Sequence, residues 1–125
     1  MRDFAVQLTH RPGELARIAH ALARKGVSLK SVAAMSFQNQ GLVHFLADDI
    51  EAARGALRES NIPFEESEII TVLLENQAGE LEGVTAKLSN AGINLLAVYV
   101  VGLDGDLVEL AFVADDPKKA KKAIG

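Results

Sequence analysis

Few side chains in this chain carry chemistry that could act on another molecule. Three histidines (His10, His20, His44) and two aspartate pairs (Asp48-Asp49, Asp115-Asp116) are the types that bind metals or move protons. None of the histidines stands at a close ligand spacing to another histidine or a carboxylate, so the pattern carries no metal site. Each aspartate pair precedes a helical stretch, where aspartate accepts hydrogen bonds from the first free N–H groups, so capping explains them better than acid–base work. His10-Arg11 could meet a phosphate or carboxylate, but no base-and-orienter partner is visible. Lys118, Lys119, Lys121 and Lys122 form a basic run that reads as a solvated helix face. The best binding chemistry lies in two glycine turns, around Gly13 and Gly79. Each turn opens a helix whose free N–H groups and positive dipole end suit a carboxylate. At both positions the missing Cβ would let a ligand approach the backbone closely. Asn94, with Ser28 as its weaker counterpart, could hydrogen-bond an amino or carboxylate group.

The elements that must hold these turns come from a duplication. Residues 12–32 and 78–98 align at an offset of 66, with Gly13, Glu14, Leu15, Leu22, Gly26, Leu29 and Val32 recurring as Gly79, Glu80, Leu81, Leu88, Gly92, Leu95 and Val98. Phe45 to Asp49 recurs as Phe112 to Asp116 at an offset of 67. Alternating Phe4, Val6 and Leu8 predict a first strand. Leu15, Ile18, Ala19 and Leu22 predict one face of a helix, ended by Gly26. Val27–Phe37 reads as a second strand, Asn39-Gln40-Gly41 as a turn and Leu42–Ala47 as a third strand. Asp49 caps a helix presenting Ala53 and Leu57, broken by Asn61 and Pro63; Ile62–Glu66 reads as a fourth strand. The second half repeats this order: strand 70–74, helix to Gly92, strand 93–103, a turn at Asp104-Gly105, strand 107–114 and a helix with Pro117 at its first position. It has no evident last strand.

Composition removes several functions. The chain has 125 residues and no cysteine, which excludes disulfides, thiolate metal sites and a cysteine nucleophile, and fits a cytoplasmic setting. A net charge of −4 argues against nucleic acid, and the scattered aromatics make no base-stacking platform. No apolar run approaches the ~20 residues that span a bilayer, so no membrane partner is expected. The 49% hydrophobic content is high for units of this size, since a ~60-residue domain buries only about 60% of its unfolded surface. In the strand from Ile93, both alternating sets are apolar: Leu96, Val98 and Val100 on one side, Leu95, Ala97 and Tyr99 on the other. Neither face should meet water, which predicts packing against another unit or chain.

The duplicated βαββα pattern is a split βαβ arrangement. It resembles the ACT domain family of small-molecule regulatory modules, specifically a tandem of two. Arg11-Pro12-Gly13-Glu14-Leu15 with Gly26-Val27-Ser28-Leu29 carries the resemblance, and Gln77-Ala78-Gly79-Glu80-Leu81 with Gly92-Ile93-Asn94-Leu95 repeats it. The resemblance covers nearly the whole chain. It implies an α+β fold of two ferredoxin-like βαββαβ units, 1–67 and 68–125, the second without its last strand, with antiparallel sheets and helices on one face. It implies a non-enzymatic regulatory protein, without a cofactor, that binds an amino acid where units meet. The residues so implicated are His10, Arg11, Pro12, Gly13 and Ser28 in the first half, and Asn76, Gln77, Ala78, Gly79, Glu80, Leu81, Asn94 and Leu95 in the second. Of the two, the site with Asn94 is favoured. A homo-oligomer, such as a dimer, and a regulated partner enzyme are expected. The alternatives are an interaction module without a small ligand or, less favoured, a small enzyme.

Overall fold

A computed structural model describes all 125 residues and divides them into two compact units, Met1–Ser67 and Glu68–Gly125. In the first, β1 (Arg2–Thr9), α1 (Glu14–Arg24), β2 (Leu29–Phe37), β3 (Gln40–Ala47), α2 (Ile50–Glu59) and β4 (Glu65–Glu68) follow in order. The strands form one sheet in the order β2-β3-β1-β4, with β1–β3 and β2–β3 antiparallel. The core lies between the sheet and the helices. Phe4 and Phe45 sit opposite each other in register, their rings stacked 5.2 Å apart, and Ile18, Leu22 and Leu57 cover them.

The second unit runs β5 (Ile70–Glu75), α3 (Glu80–Asn90), β6 (Leu95–Asp104), β7 (Leu107–Ala114) and α4 (Pro117–Ile124). Its sheet has three strands in the order β5-β7-β6 and lacks a fourth. Ile70 faces Phe112 where Phe4 faces Phe45 in the first unit, and Val84, Leu88 and Ala120 close the core. The chain is therefore α+β, with two ferredoxin-like units, as the repeat predicts. None of its helices is long and apolar enough to cross a membrane.

Helix ends follow local chemistry. Asp49 and Asp116 cap α2 and α4, accepting from the N–H groups of Ala52 and Lys119 at 3.0 and 3.1 Å. The preceding aspartates brace a second place. Asp48 accepts from the Ser28 N–H at 3.0 Å, and Asp115 from the Asn94 N–H at 3.2 Å. Each aspartate pair thus ties the start of a helix to the start of a distant strand. Gly26 and Gly92 end α1 and α3 in the left-handed conformation, and the next N–H returns to Leu22 or Leu88.

Several boundaries differ from the sequence reading. β2 starts at Leu29, because the Val27 N–H closes the helix end onto Leu22 and its side chain is buried in the core. The β2–β3 turn is Gln38-Asn39, both at positive φ, and Gly41 lies inside β3. The fourth strand starts at Glu65: Asn61 ends α2 with positive φ, the Ile62 N–H returns to Leu57, and Pro63 has no N–H to give a ladder. In β6, irregularities at Leu95/Ala97 and Val100/Gly102 break the simple alternation. Leu95 therefore shares a face with Val98 and Val100, whose partners are Ala114, Phe112 and Leu110. Leu96, Val98 and Val100 are exposed in the single chain, which leaves them open to the partner that the sequence predicts.

Removing a cap tests the local account. Asp49→Ala is expected to lower stability by about 1 kcal/mol, read from urea unfolding, with the slope of the transition unchanged. A neutral result would mean that the Asp49 carboxylate does not hold α2.

Candidate functional site

The first glycine turn opens onto a cavity of about 360 Å3. Its floor is a row across three strands: Leu8 of β1, Gly41 of β3 and Ser36 of β2 stand opposite one another in register. Gly41 leaves the centre of that row without a side chain. An added Cβ there would lie 3.0 Å from the Leu8 Cβ, so the row closes tightly beside the opening. Thr9, His10, Arg11 and Gly13 form one wall, the start of α1 with Glu14, Leu15 and Ala16 a second, and Ala34 and Met35 of β2 a third.

Gly13 directs the chain from strand to helix. It precedes α1 in the left-handed region, at φ 92°, and caps the helix with no side chain. A Cβ at Gly13 or Gly79 would meet nothing within 4 Å. The protein itself packs nothing against either glycine, and what requires glycine here is the positive φ of the backbone. Because no side chain caps α1, N–H groups of its first turn stay free beside the cavity.

The feature that sequence reasoning missed is Glu14. Only 7% exposed, it folds back over the turn. One carboxylate oxygen accepts from the Thr9 N–H at 3.3 Å; the other accepts from Arg11 Nε at 3.3 Å, and Arg17 stands 3.8 Å away. Burial pushes the Glu14 carboxyl up, but hydrogen bonds from Arg11 and the Thr9 N–H, with the charges of Arg11 and Arg17, hold it below its ordinary value. The turn chosen for its affinity for carboxylates therefore already holds one, supplied by the chain. The signal lay in the repeat: Glu14 has arginines three residues on either side, whereas Glu80 has Gln77 and Gly83 there.

The second turn shares this backbone. Gly79 precedes α3 at φ 91°, and the Gln77 N–H bonds to the Glu75 carbonyl as the Arg11 N–H does to Thr9. Its equivalent row is Leu74, Val108 and Leu103, so Val108 fills the place that Gly41 leaves open. Asn76, Gln77, Ala78 and Gly79 are exposed along the turn, Glu80 is half-buried and Leu81 is exposed. Asn94 is exposed at the start of β6, and Leu95 packs against the second core. In the first unit the structure brings His10, Arg11 and Gly13 together around the cavity; Pro12 and Ser28 do not line it. Thr9, Ala16, Ala34, Met35 and Ser36 also line it without having been singled out in the sequence, and Gly41 does so although the sequence marks it only as a turn residue.

The remaining polar features stay structural. His44 is buried on the sheet face away from the helices, hydrogen-bonded to Asp3 at 2.8 Å. No three metal-ligating side chains come together. The α4 lysines are exposed, with Lys121 paired to Glu68 at 2.5 Å.

No protein-family model matches the chain, and no curated protein matches it. Solved structures do. A protein of Bacteroides thetaiotaomicron superposes with a TM-score of 0.83 at 16% identity, over 98% of this chain and 84% of that one. The ligand-free regulatory subunit of aspartate kinase from Thermus thermophilus gives 0.65 at 15% identity, over 98% and 88%. Aspartokinase alpha and beta subunits give 0.67 at 13%, over 98% and 88%. At these identities the likeness shows the fold alone, two ferredoxin-like α+β units in succession.

The Glu14 seat is testable by titration. A carboxylate held below its ordinary value of 4.5 contributes fully above that value and is lost as pH falls through its lower folded value. The Thr9 amide resonance should therefore titrate with a midpoint below 4.5. A midpoint at or above it would show that Glu14 is not seated on the turn.

Proposed function

We propose that this chain is a non-catalytic regulatory protein that binds a small amino-acid ligand at the first glycine turn. The observation that carries this reading is the cavity itself. It gathers a guanidinium, an imidazole, a buried carboxylate and free helix N–H groups around a floor of Leu8, Gly41 and Ser36. Its size falls within the range of ~300–1,000 Å3 usual for small-molecule sites. Fold alone does not fix function, but a shared fold with an aspartate kinase regulatory subunit supports regulation over catalysis. On this reading residues 1–67 and 68–125 are two ACT-like units. The Gly41 row, which carries no side chain at its centre, against the filled Val108 row supports the Arg11 turn over the Asn94 turn as the ligand's place.

Output from such a site requires a second chain. The cavity borders β2, a sheet edge on which Met35 and Phe37 are exposed. A partner along that edge, either another copy or a regulated enzyme, would close the open side and feel the ligand. The interaction-module reading keeps one specific support: from Leu95 to Leu103 the β6 edge carries no charge to deter pairing.

Thermal shift against the twenty amino acids separates the two readings. Binding to the native state raises Tm, by the equivalent of about 2.7 kcal/mol at a hundredfold excess over Kd. At least one amino acid should raise Tm at millimolar concentration, and Arg11→Gln should weaken that response. No response to any of them, together with a stable oligomer, would favour the interaction module. An undiminished response in Arg11→Gln would sink the site.

A further inference from the structure

We infer that Glu14 is the receptor for a ligand ammonium group, so that the first-unit cavity takes zwitterions and rejects N-acylated or purely anionic relatives. This rests on the proposed amino-acid site and adds what that site selects.

The argument starts from a carboxylate that is buried but underfilled. Glu14 is one of three buried polar residues in the chain, with Asp3 and His44, and the one that lines the cavity. A carboxylate offers about four acceptor positions. Here its two oxygens receive one hydrogen bond each, both at 3.3 Å, with the Arg17 guanidinium farther off at 3.8 Å. Those bonds are longer than the usual 2.7–3.2 Å, so the seat is loosely filled. An ammonium group has three donors and no acceptor, which matches the remaining capacity and charge.

The cationic partner is free to turn outwards. The Arg11 side chain is 66% exposed and is held to Glu14 through Nε alone. A zwitterion entering between the two would place its ammonium on Glu14 and its carboxylate on Arg11 or on the free N–H groups of α1. Both charges of the existing pair would keep an opposite charge beside them. A carboxylate without an ammonium would bring like charge against the buried Glu14 carboxylate, which is unfavourable. An acyl group on nitrogen removes the positive charge and adds bulk next to Leu8 and Ser36. In the second unit Glu80 lacks both arginines, and Val108 occupies the floor, so the same exchange is not built there.

The test uses the full chain and the amino acid that stabilises it most among the twenty. Its free form, its N-acetyl derivative and its carboxamide are titrated by calorimetry into wild type, Glu14→Gln and Glu14→Asp. Wild type should bind the N-acetyl form at least tenfold more weakly than the free form. Glu14→Gln should lose at least tenfold for the free form and leave the N-acetyl form unchanged or tighter, whereas Glu14→Asp keeps the preference for a free ammonium. Equal binding of free and N-acetyl forms by wild type overturns the inference even if Glu14→Gln does not fold. So does a Glu14→Gln protein that binds the free form as tightly as wild type. Failure of all twenty to bind removes the proposed site and this inference with it, an outcome distinct from binding without discrimination.

Discussion

The left-handed backbone at Gly13 is the constraint from which the candidate site follows. An L-residue pays roughly 1–2 kcal/mol to adopt that region, and at φ 92° glycine alone is at ease. The conformation turns β1 directly into α1 and leaves the helix without a side-chain cap. It also places the next residue, Glu14, where its carboxylate can reach back to the Thr9 N–H. Gly79 imposes the same turn in the second unit, at nearly the same angle. Two turns of equal geometry have therefore been furnished differently.

That difference separates the framework of the duplication from its chemistry. Stacked or facing core pairs, left-handed helix ends and aspartate pairs that tie a helix start to a strand start occur in both units. Each supports burial of one sheet face under two helices. The cavity instead depends on positions where the halves diverge: Gly41 against Val108, Ser36 against Leu103, Arg11 against Gln77 and Arg17 against Gly83. Arginines also hold a second carboxylate of the first unit. In the first unit Arg54 bonds Glu66 at 2.5 and 2.9 Å, and Arg2 reaches it at 3.0 Å. These contacts hold the Glu66 carboxyl below its ordinary value, Arg54 first, against the opposing effect of burial.

Much of the fold is legible in the sequence, because period and punctuation are local. Phe4-Val6-Leu8, Gly26 and Gly92, Asp49 and Asp116, and Pro117 each announce their element through nearest neighbours. The errors arise where the deciding contact is distant or irregular. Gly41 reads as a turn residue because Gln38 and Asn39 take positive φ without being glycine. The irregularities in β6 reverse the assignment of Leu95, and no local pattern signals them. Leu15, assigned to the buried face of α1, is exposed and lines the cavity, while Glu14 takes a buried position. The site was legible as a turn, through His10, Arg11 and Gly13. Its floor was not, because Leu8, Gly41 and Ser36 meet only once three strands are in register.

The central claim is that ligand chemistry is concentrated at the Gly13 turn, with Glu14 and Arg11 as its charged groups. Amide-resolved NMR of the full chain, titrated with the stabilising amino acid, tests it most directly. The account predicts that Thr9, Gly13, Glu14 and Leu15, with the Arg11 side-chain Nε–H, shift together and saturate at one affinity. Shifts centred instead on Asn76 to Gly79 and Asn94, with the Gly13 turn unmoved, would contradict it.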